Sequence, residues 1–531
     1  MKYLPAGRQN FKEIIEEDLL YLDKTRQIYE LLNNGKFYFL SRPRRFGKSL
    51  LLSVFRYLFS GKKQVFEDLY IAQETDYAFE EYPVIQFNFA DYGAEVTNLK
   101  EVLSADIQRK AKDFKMEVDM VSLSTQFMTL VQNIATKGKP VVLLIDEYDK
   151  PIVDFLTEPE KAKKNQQILR QFFGPLKGLD SLGHLRFLFI TGVSKFSKVS
   201  LFSDLNNLTD LSIHALSHDL LGITQKELEQ NFASHIEKAA LKFQLSKEDL
   251  LEAMKTWYNG YSYDGKIRLY NPFSILHFFQ NYHFGNYWFD TGTPTFLVKT
   301  IRDRGIDPRE YEETGVNEAF LTRFSLEDLN MTGLLFQTGY LTIKRIEYRN
   351  LVARYFLGYP NREVRNAMMY NLAKAFTYTS ASTLSTSLLK MQDGLEEGNM
   401  TLFIEHLRII LSDLKYNWQP PKQYKTTEEL FRMWEGYFHT ILYLITSYMD
   451  MFVDAEVSHS KGRLDLIAET EHYIYLMEFK MDGKTENAIA QIKERAYATP
   501  YKNRSKTVFL VGINFSNEER NVESWEAEKW T

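Results

Sequence analysis

The chain contains no cysteine, and this absence removes several kinds of chemistry at once. Disulfide bonds, cysteine-ligated zinc, iron–sulfur clusters and thiol catalysis all require a side chain that is missing here. No stretch reaches the roughly 18 apolar residues of a membrane-spanning helix, and the N-terminal stretch lacks the apolar core of a secretory signal. We therefore expect a soluble, cytoplasmic protein with no membrane partner.

The chain also has no excess of basic residues over acidic residues. The net charge is −5, with 65 Lys and Arg residues against 70 Asp and Glu residues. The net charge therefore gives the molecule as a whole no attraction for nucleic acid, although the same net charge is compatible with a local basic groove. Hydrophobic residues make up 44% of the chain and charged residues 25%, as in folded soluble domains. At about 150 residues per domain, this length predicts about three or four domains.

Short apolar runs alternate with helical patterns in the first part of the chain, at residues 36–41, 83–89, 140–146 and 185–192. Runs that are apolar nearly throughout are typical of parallel strands covered on both faces, and their alternation with helices indicates a wound α/β sheet. The predicted parts of this α/β multidomain protein are a wound domain at 1–215, a mainly helical region at 216–420 and a small α/β module at 421–531, with a Pro-containing linker at 417–430.

The stretch "RPRRFGKS" at residues 42–49 nearly matches the phosphate-binding P-loop pattern G-x-x-x-x-G-K-[ST]. In such a loop, backbone N–H groups surround a phosphate at the start of a helix, the lysine reaches the β- and γ-phosphates, and the hydroxyl ligates magnesium. Arg42 replaces the first glycine, which requires a negative φ there, and the following Pro43 favours extended geometry at that position. The predicted nucleotide-binding residues of the loop are Arg42, Pro43, Arg44, Arg45, Phe46, Gly47, Lys48 and Ser49.

A second half-site follows the apolar run at 140–146. Asp146, at the end of that run, would hold magnesium together with Ser49, and the adjacent Glu147 would orient or deprotonate the attacking water. A solvated turn is the alternative for this acidic pair, but it would leave Lys48 and Ser49 unexplained. The two half-sites together predict ATP and Mg²⁺ as ligands.

Polar residues after the next apolar run are further candidates. Thr191 and Ser194 are placed to contact the γ-phosphate or the water, while a local turn is the alternative for Thr191. No arginine finger can be assigned, because a solvated loop face explains Arg44 and Arg45 equally well.

Several stretches together resemble a known family. The segments "YLDKTRQIYELL", "SRPRRFGKSLL", "LLIDEYDKPI" and "FITGVSKFSKVSLFSDLNNLTD" are similar to the bacterial AAA-ATPase-like proteins that are fused to a PD-(D/E)XK nuclease-like domain. The resemblance covers nearly the whole chain and implies a P-loop NTPase core of the AAA/STAND type, followed by a helical lid and connector. In that family an arginine-rich loop of the same form stands where a glycine-flanked loop is usual. AAA-type sites often lie between subunits, which leaves a homo-oligomer open.

The C-terminal module contains a second set of charged residues. Asp465 lies in "GRLDLIAE", and Glu478 and Lys480 lie in "YLMEFKMD", with room for one hairpin between them. Glu478 and Lys480 are two apart, so on a strand both side chains leave the same face. Carboxylates on neighbouring strands can share a divalent cation, and a lysine beside them can position a water and offset phosphate charge. The alternative for the Glu-x-Lys pair is a solvent-facing ion pair.

These residues resemble the PD-(D/E)XK core, which has an acidic residue on its first helix, an aspartate on one strand, Glu-x-Lys on the next strand and then a helix. Leu464 stands in place of the motif's proline. The resemblance implies the following roles: Asp465 and Glu478 as ligands of Mg²⁺ or Mn²⁺, Lys480 as the water-positioning base, Glu435 as an accessory acid and Gln491 as a supporting polar group. Glu456 is a less favoured extra ligand, and His439 and His459 are interpreted as surface or hydrogen-bonded histidines.

Three functions remain open at this point. The first is an ATP-regulated nuclease, with DNA favoured over RNA as the substrate. The second is a non-catalytic, nucleotide-switched protein that binds nucleic acid or signals through an inactive nuclease fold. The third is a slow ATPase with an interaction module. Fold kinship cannot separate them, because the same fold carries active and inactive sites.

Overall fold

A computed structural model describes residues 2–92, 98–118, 121–195, 201–202, 205, 207–289, 295–304, 306–322, 330–414, 427–449, 452–459, 462–502 and 504–530. The chain divides into two compact units, Met1–Phe296 with Glu310–Val364 and Leu297–Arg309 with Arg365–Thr531. The linker predicted at 417–430 lies for the most part outside the described residues, and the predicted three-part division stays a prediction. No helix in the described part of the chain combines the length and apolar character that crossing a membrane requires.

The first unit is built on a parallel sheet of five described strands. In chain order they are β1 (Phe37–Ser41), β2 (Val84–Asn88), β3 (Val141–Asp146), β4 (Leu185–Gly192) and β5 (Thr209–Asp210), and their spatial order is β2-β3-β4-β1-β5. Each predicted apolar run contains one of the first four strands, so the predicted wound α/β sheet is confirmed. Every residue of β3 is buried, as expected of a central strand that is covered on both faces.

Two helices precede the first strand of this sheet, and further helices connect its strands, as in a wound fold. They are α1 (Phe11–Glu16), α2 (Thr25–Asn34), α3 (Lys48–Phe59), α4 (Tyr70–Gln73), α5 (Leu99–Asp113), α6 (Leu123–Lys137), α7 (Lys150–Val153), α8 (Pro159–Phe173) and α9 (Leu176–Ser181). Helix α3 packs aromatic rings on β4: the ring centroids of Phe55 and Phe189, and of Phe59 and Phe187, are each 4.9 Å apart. Aromatic residues, which make up 15% of the chain, therefore fill part of this core.

The remainder of the first unit is mainly helical, as predicted, but it also contains short strands. The helices are α10 (Gln225–Asn231), α11 (Ala233–Phe243), α12 (Lys247–Tyr258), α13 (Pro272–Asn281), α14 (Thr295–Asp303, which continues into the second unit), α15 (Glu318–Thr322) and α16 (Met331–Thr338). The strands are β6 (Ile223–Thr224) paired with β7 (Leu269–Tyr270), and β8 (Thr314–Val316), β9 (Thr342–Arg349) and β10 (Val352–Gly358) in the antiparallel order β8-β10-β9. Helix α10 begins at a capping box, in which Thr224 and Glu227 each bond to the other's backbone.

The second unit carries a mixed sheet in the order β11-β12-β13-β14-β15. Its strands are β11 (Phe452–His459), β12 (Gly462–Glu469), β13 (Tyr473–Met481), β14 (Thr507–Ser516) and β15 (Asn521–Trp530), and its helices are α17 (Arg362–Thr377), α18 (Ala381–Glu396), α19 (Met400–Leu411), α20 (Thr427–Tyr448) and α21 (Thr485–Glu494). Strands β13 and β14 run parallel, so the chain must cross over between them, and α21 forms that crossover. The predicted order of a helix, three strands, a helix and a strand is thereby confirmed, and β15 adds an edge strand that the sequence had not revealed.

Candidate active sites

The loop at 42–49 lacks the usual first glycine, and its left-handed backbone conformations occur later in the loop instead. Arg45 has a φ of 61° and Gly47 a φ of 95°, whereas Arg42 keeps a negative φ, as the pattern required. Gly47 is also the N-cap of α3, so the loop still delivers backbone N–H groups to the start of a helix. An arginine at the first position is therefore compatible with a P-loop.

The side chain of Arg42 does not line the cleft that the loop encloses. It is only 1% exposed, and its guanidinium donates to the carbonyl oxygens of Ser212 and Ser217, each at 2.8 Å, while it stacks on the ring of Tyr263 at 3.5 Å. Burial lowers the pKa of this guanidinium, and Tyr263 opposes that effect. The predicted nucleotide contact of this side chain is thus corrected: it anchors the loop to the residues at 212–217.

Two further loop side chains also turn away from the cleft. The ring of Phe46 packs edge-on against Tyr261, with centroids 5.1 Å apart, and Pro43 lies so close to Gly339 that a Cβ there would approach it to 2.5 Å. Neither side chain lines the cleft, although Phe46 lines an apolar pocket beside it. Among the predicted loop residues, those that line the cleft are Arg44, Arg45, Gly47, Lys48 and Ser49.

Replacing Arg42 by methionine should destabilise the protein rather than only weaken nucleotide binding. The change leaves the carbonyl oxygens of Ser212 and Ser217 buried without their donor, which we expect to cost about 2 kcal/mol in the free energy of unfolding. Urea denaturation followed by circular dichroism measures the loss. Arg56→Met, at an exposed position of α3, is the matched control, and equal stability of the two variants would contradict the anchoring role.

The cleft itself has a volume of about 420 Å³, within the usual range of small-molecule sites. Its lining carries five cationic and two acidic side chains: Arg8, Arg44, Arg45, Lys48 and Lys150 against Asp146 and Glu147. This excess of positive charge suits a polyphosphate, since opposite charges concentrate an anionic ligand in a cleft.

Lys48 is held at the mouth of the loop by loop carbonyl groups. Its Nζ donates to the carbonyl oxygens of Arg42 and Pro43, each at 2.9 Å. Burial lowers the pKa of this ammonium, and the negative charges of Glu147 and Asp146 oppose that effect. The ammonium therefore already stands beside the cleft, with weak neutral acceptors that a phosphate oxygen can replace.

Asp146 lies between two hydroxyl groups at the end of β3. The Oγ of Ser49 donates to its Oδ2 at 2.6 Å, and Thr191, on β4, donates to its Oδ1. A carboxylate and a hydroxyl side by side at the edge of the cleft are the hard oxygen donors that magnesium prefers, so these residues fit that ion. Thr191 is fully buried, and its predicted contact with nucleotide is corrected to a contact with Asp146.

Glu147 follows with a left-handed backbone, at a φ of 50°, which is unusual for a residue other than glycine. Its side chain lines the cleft. Burial raises the pKa of its carboxyl group, and the charge of Lys48 opposes the increase. A carboxylate with a raised pKa next to Lys48 suits a group that orients or deprotonates water.

Asp149 is a buried acid that the sequence analysis did not single out. Its carboxylate accepts from the backbone N–H and the hydroxyl of Ser194, each at 2.6 Å, and from the N–H of Val193 at 3.2 Å. Burial raises its pKa, and the bonds from Ser194 oppose that increase. The hydroxyl of Ser194 thus donates to Asp149, and the prediction that Ser194 contacts phosphate is corrected. The position of Asp149 at the end of "DEYD", three residues after Asp146, could have marked it as a candidate in the sequence.

An apolar pocket of about 120 Å³ lies next to the cleft. The two share lining residues, among them Gly47, Leu50, Pro272 and Leu276, and are therefore contiguous. Most of the pocket wall comes from aliphatic side chains such as Ile14, Leu51, Val54, Leu221 and Ile223. If a polyphosphate lay in the cleft, a flat apolar group attached to it could pack against the aliphatic wall of this pocket.

In the second unit, Asp465 and Glu478 come together at one end of the β12–β13 ladder. The last ladder pair is Leu466 with Met477, and the two carboxylates follow directly beyond it on their strands. The backbone N–H of Phe479 donates to the Oδ2 of Asp465 at 2.7 Å. The pKa of Glu478 is raised to about 7, first by burial and then by the negative charge of Asp465.

Lys480 and Gln491 complete the arrangement around Glu478. The Nζ of Lys480 donates to the Oε1 of Glu478 at 3.2 Å and to the Oε1 of Gln491 at 2.8 Å. The amide of Gln491 donates to the same oxygen of Glu478. The other oxygen, Oε2, is buried and has no hydrogen-bond partner among the described residues. A buried carboxylate oxygen without a donor is costly and is the group that a cation would satisfy, so the residues fit a divalent ion.

Helix α20 places His439 beside this site, and Glu435 on the same helix is near enough that its negative charge, after burial, raises the pKa of Asp465. Glu435 is exposed, whereas the Nδ1 of His439 lies 3.9 Å from the Oδ1 of Asp465. His439 is therefore not a surface histidine, and its position beside Asp465 fits the other part of the interpretation, a histidine with a partner. The side chains of Glu456 and His459 lie outside the described ones. Within the described part of the chain, there is no group of three or more His, Asp or Glu side chains that could hold a metal ion.

Comparison with known proteins gives a match in each unit. Residues 5–202 match the family described as "Predicted AAA-ATPase", and residues 433–525 match the "PD-(D/E)XK nuclease superfamily". A curated protein of Azotobacter chroococcum mcd 1, named "Uncharacterized protein in vnfD 5'region", is 34% identical over 545 residues, which cover 98% of each chain. No solved structure matches. The resemblance inferred from the sequence is thereby confirmed at both ends of the chain.

Proposed function

Because the chain belongs to the family in which a predicted AAA-ATPase domain is joined to a domain of the PD-(D/E)XK nuclease superfamily, we propose that it is an ATP-regulated, metal-dependent nuclease that acts on DNA. One observation carries the proposal: Glu478 has a buried, unpartnered carboxylate oxygen beside Asp465, and its other oxygen is held by Lys480 and Gln491. A solvent-facing Glu-x-Lys pair would show neither the burial nor the unpartnered atom.

In the first unit, the residues of the cleft provide for a nucleoside triphosphate with magnesium. Lys48 would exchange two loop carbonyls for phosphate oxygens, and Ser49 and Asp146 would hold the ion, which supplies charge neutralisation on the phosphates. Glu147 would orient or deprotonate the water. The base would occupy the apolar pocket next to Gly47 and Leu276, where stacking and burial stabilise a flat aromatic ring.

In the second unit, Asp465 and Glu478 would hold a divalent ion, Mg²⁺ or Mn²⁺, which supplies Lewis acidity at the scissile phosphate. Lys480 would position the attacking water and offset the charge on the phosphate. Gln491 fixes the direction of the lysine, because it accepts from the Nζ of Lys480 and donates to the carboxylate that the lysine contacts. The rigid contacts among these side chains keep the ammonium aimed at the site.

One observation favours a second candidate, the nucleotide-switched binding protein with an inactive nuclease fold. No group of three or more His, Asp or Glu side chains among the described residues could hold a metal ion. A nuclease fold that holds no metal ion would bind nucleic acid without cutting it. In that case binding would survive the loss of Lys480 and would depend on Lys48.

A cleavage assay with one matched pair of variants tests the proposal. The purified protein is incubated with duplex DNA, single-stranded DNA or RNA and with Mg²⁺ or Mn²⁺, with and without ATP. We expect DNA cleavage that falls about a hundredfold or more in Lys480→Met, and that persists in Lys484→Met, an exposed lysine nearby. Absence of cleavage under all of these conditions, or equal cleavage by the two variants, would overturn it. Binding that Lys480→Met leaves intact and Lys48→Met removes would establish the switch instead.

A further inference from the structure

The helix that carries Gln491 brings a second cation to the site of the second unit. The backbone N–H of Arg495 donates to the carbonyl oxygen of Gln491 at 3.0 Å, so the helical hydrogen bonding extends to Arg495, the residue that caps α21. Residues four apart in such a turn lie on the same face of a helix. The side chain of Arg495 therefore leaves α21 on the face of Gln491, whose own side chain contacts Glu478 and Lys480.

The charge of Arg495 acts on this site as well. Burial raises the pKa of the Glu478 carboxyl group to about 7, and the positive charge of Arg495 is one of the effects that oppose the increase. Such an effect indicates that the guanidinium lies near the carboxyl group. Arg495 itself is exposed, so a ligand that reaches the site from solution can contact it.

The guanidinium of Arg495 is oriented but not neutralised. It donates to the hydroxyl oxygen of Tyr497 at 3.0 Å, and the ring of Tyr497 is fully buried, which fixes this partner. Arginine carries five N–H donors, and within the described part of the chain Arg495 forms no salt bridge. Lys480, in contrast, already donates to Glu478 and Gln491. Arg495 therefore retains donors for an anion at this site.

A lysine on the same helix has a different environment. Lys493 follows Gln491 by two residues, which places its side chain about 200° further around the helix axis. Its Nζ lies 2.6 Å from the Oε1 of Glu528, on β15. Lys493 is thus an exposed cation of α21 that belongs to another face, and it provides a matched comparison for Arg495.

We propose that Arg495 binds a phosphate group of the DNA backbone at the site formed by Asp465, Glu478 and Lys480. The planar guanidinium can donate two parallel hydrogen bonds to the oxygens of one phosphate, which fixes the position and the orientation of that group. The neighbouring carboxylates favour a singly charged phosphodiester over a free phosphate, because they repel the doubly charged ion more strongly. The inference rests on the proposed function and names a residue that holds the substrate there.

DNA binding without a divalent ion gives the test. The full chain is titrated into a fluorescein-labelled duplex oligonucleotide in the presence of EDTA, and fluorescence anisotropy is recorded over a series of KCl concentrations. The salt dependence matters because each contact between a protein cation and a phosphate steepens it. The variants are Arg495→Met and the charge-conserving Arg495→Lys, and Lys493→Met is the control. Inorganic phosphate and unlabelled duplex are added as competitors at equal phosphate concentration.

We expect Arg495→Met to lower the affinity for the duplex about tenfold and to reduce the slope of log affinity against log salt by about 0.9. Arg495→Lys should keep the slope and show an intermediate affinity, since it retains the charge but loses the paired donors. Lys493→Met should match the wild type. Circular dichroism of each variant confirms that folded proteins are compared.

Three outcomes would overturn the inference. Equal affinity and equal slope in Arg495→Met and Lys493→Met would remove the role of Arg495 and leave the proposed function intact. Competition by inorganic phosphate as strong as that by unlabelled duplex would assign the site to the free ion instead. A wild-type protein that neither binds nor cleaves DNA would remove the proposed function, and the role of Arg495 with it.

Discussion

Replacing Lys48 by methionine is expected to abolish ATP binding and to lower the rate of ATP hydrolysis by about a hundredfold or more. The ammonium of Lys48 is the buried cation at the mouth of the loop, and in the described structure it bonds only to the carbonyl oxygens of Arg42 and Pro43. These neutral acceptors hold it in place without neutralising it. A phosphate oxygen would replace them with a charge-assisted bond, which is stronger than a bond to a neutral acceptor.

A second variant separates binding from hydrolysis at the same cleft. Glu147→Gln keeps the size and polarity of the side chain but removes the carboxylate that would orient or deprotonate water. We expect it to bind ATP like the wild type while its hydrolysis falls about a hundredfold. Equilibrium binding of a fluorescent ATP analogue and release of inorganic phosphate measure the two quantities.

The control for these variants is Lys62→Met, which removes an exposed ammonium just beyond the end of α3. It should leave both quantities unchanged. If Lys48→Met binds ATP with the affinity of Lys62→Met, the loop is not a phosphate site, and the regulatory part of the proposed function fails. If Glu147→Gln hydrolyses ATP normally, another group must activate the water.

Local sequence was sufficient for the features that depend on neighbouring residues. The four apolar runs predicted the strands of the parallel sheet, because a strand buried on both faces is apolar along its length. The pairing of Ser49 with Asp146 followed from two strand-end patterns whose elements lie at the same edge of the sheet. In the second unit, the contact of Lys480 with Glu478 followed from a spacing of two on one strand.

Features that depend on distant parts of the chain were not predictable in this way. The direction of the Arg42 side chain is set by carbonyl groups at Ser212 and Ser217 and by the ring of Tyr263, which no local pattern links to the loop. Strand β15 carries four charged residues, Glu523, Glu526, Glu528 and Lys529, as edge strands often do, so it lacked the apolar signal of the other strands. The position of His439 depends on how α20 rotates against β13, which a single sequence does not specify.

Replacing Glu478 by glutamine is expected to lower the affinity for Mn²⁺ about a hundredfold and to remove most of the pH dependence of binding. In the metal-free protein the pKa of Glu478 is raised from 4.5 to about 7 by burial and by Asp465. Below that pKa the carboxyl group binds a proton, which an incoming ion must displace. Affinity of the wild type should therefore fall about tenfold for each unit of pH below about 7, and level off above it.

The raised pKa of the Glu478 carboxyl group also predicts the sign of the pH dependence of stability. Between the two pKa values the folded, metal-free protein binds a proton at Glu478 that the unfolded chain does not, so the free energy of unfolding must decrease as pH rises through this window. Wild type should accordingly be more stable near pH 5 than near pH 8 by a margin that shrinks in Glu478→Gln. The control is Glu486→Gln, an exposed carboxyl group in the first turn of α21, which should retain the wild-type pH dependence. Mn²⁺ titrations and urea denaturation across this pH range measure both effects. A wild-type affinity that does not change with pH would show that Glu478 is not the carboxylate that receives the ion.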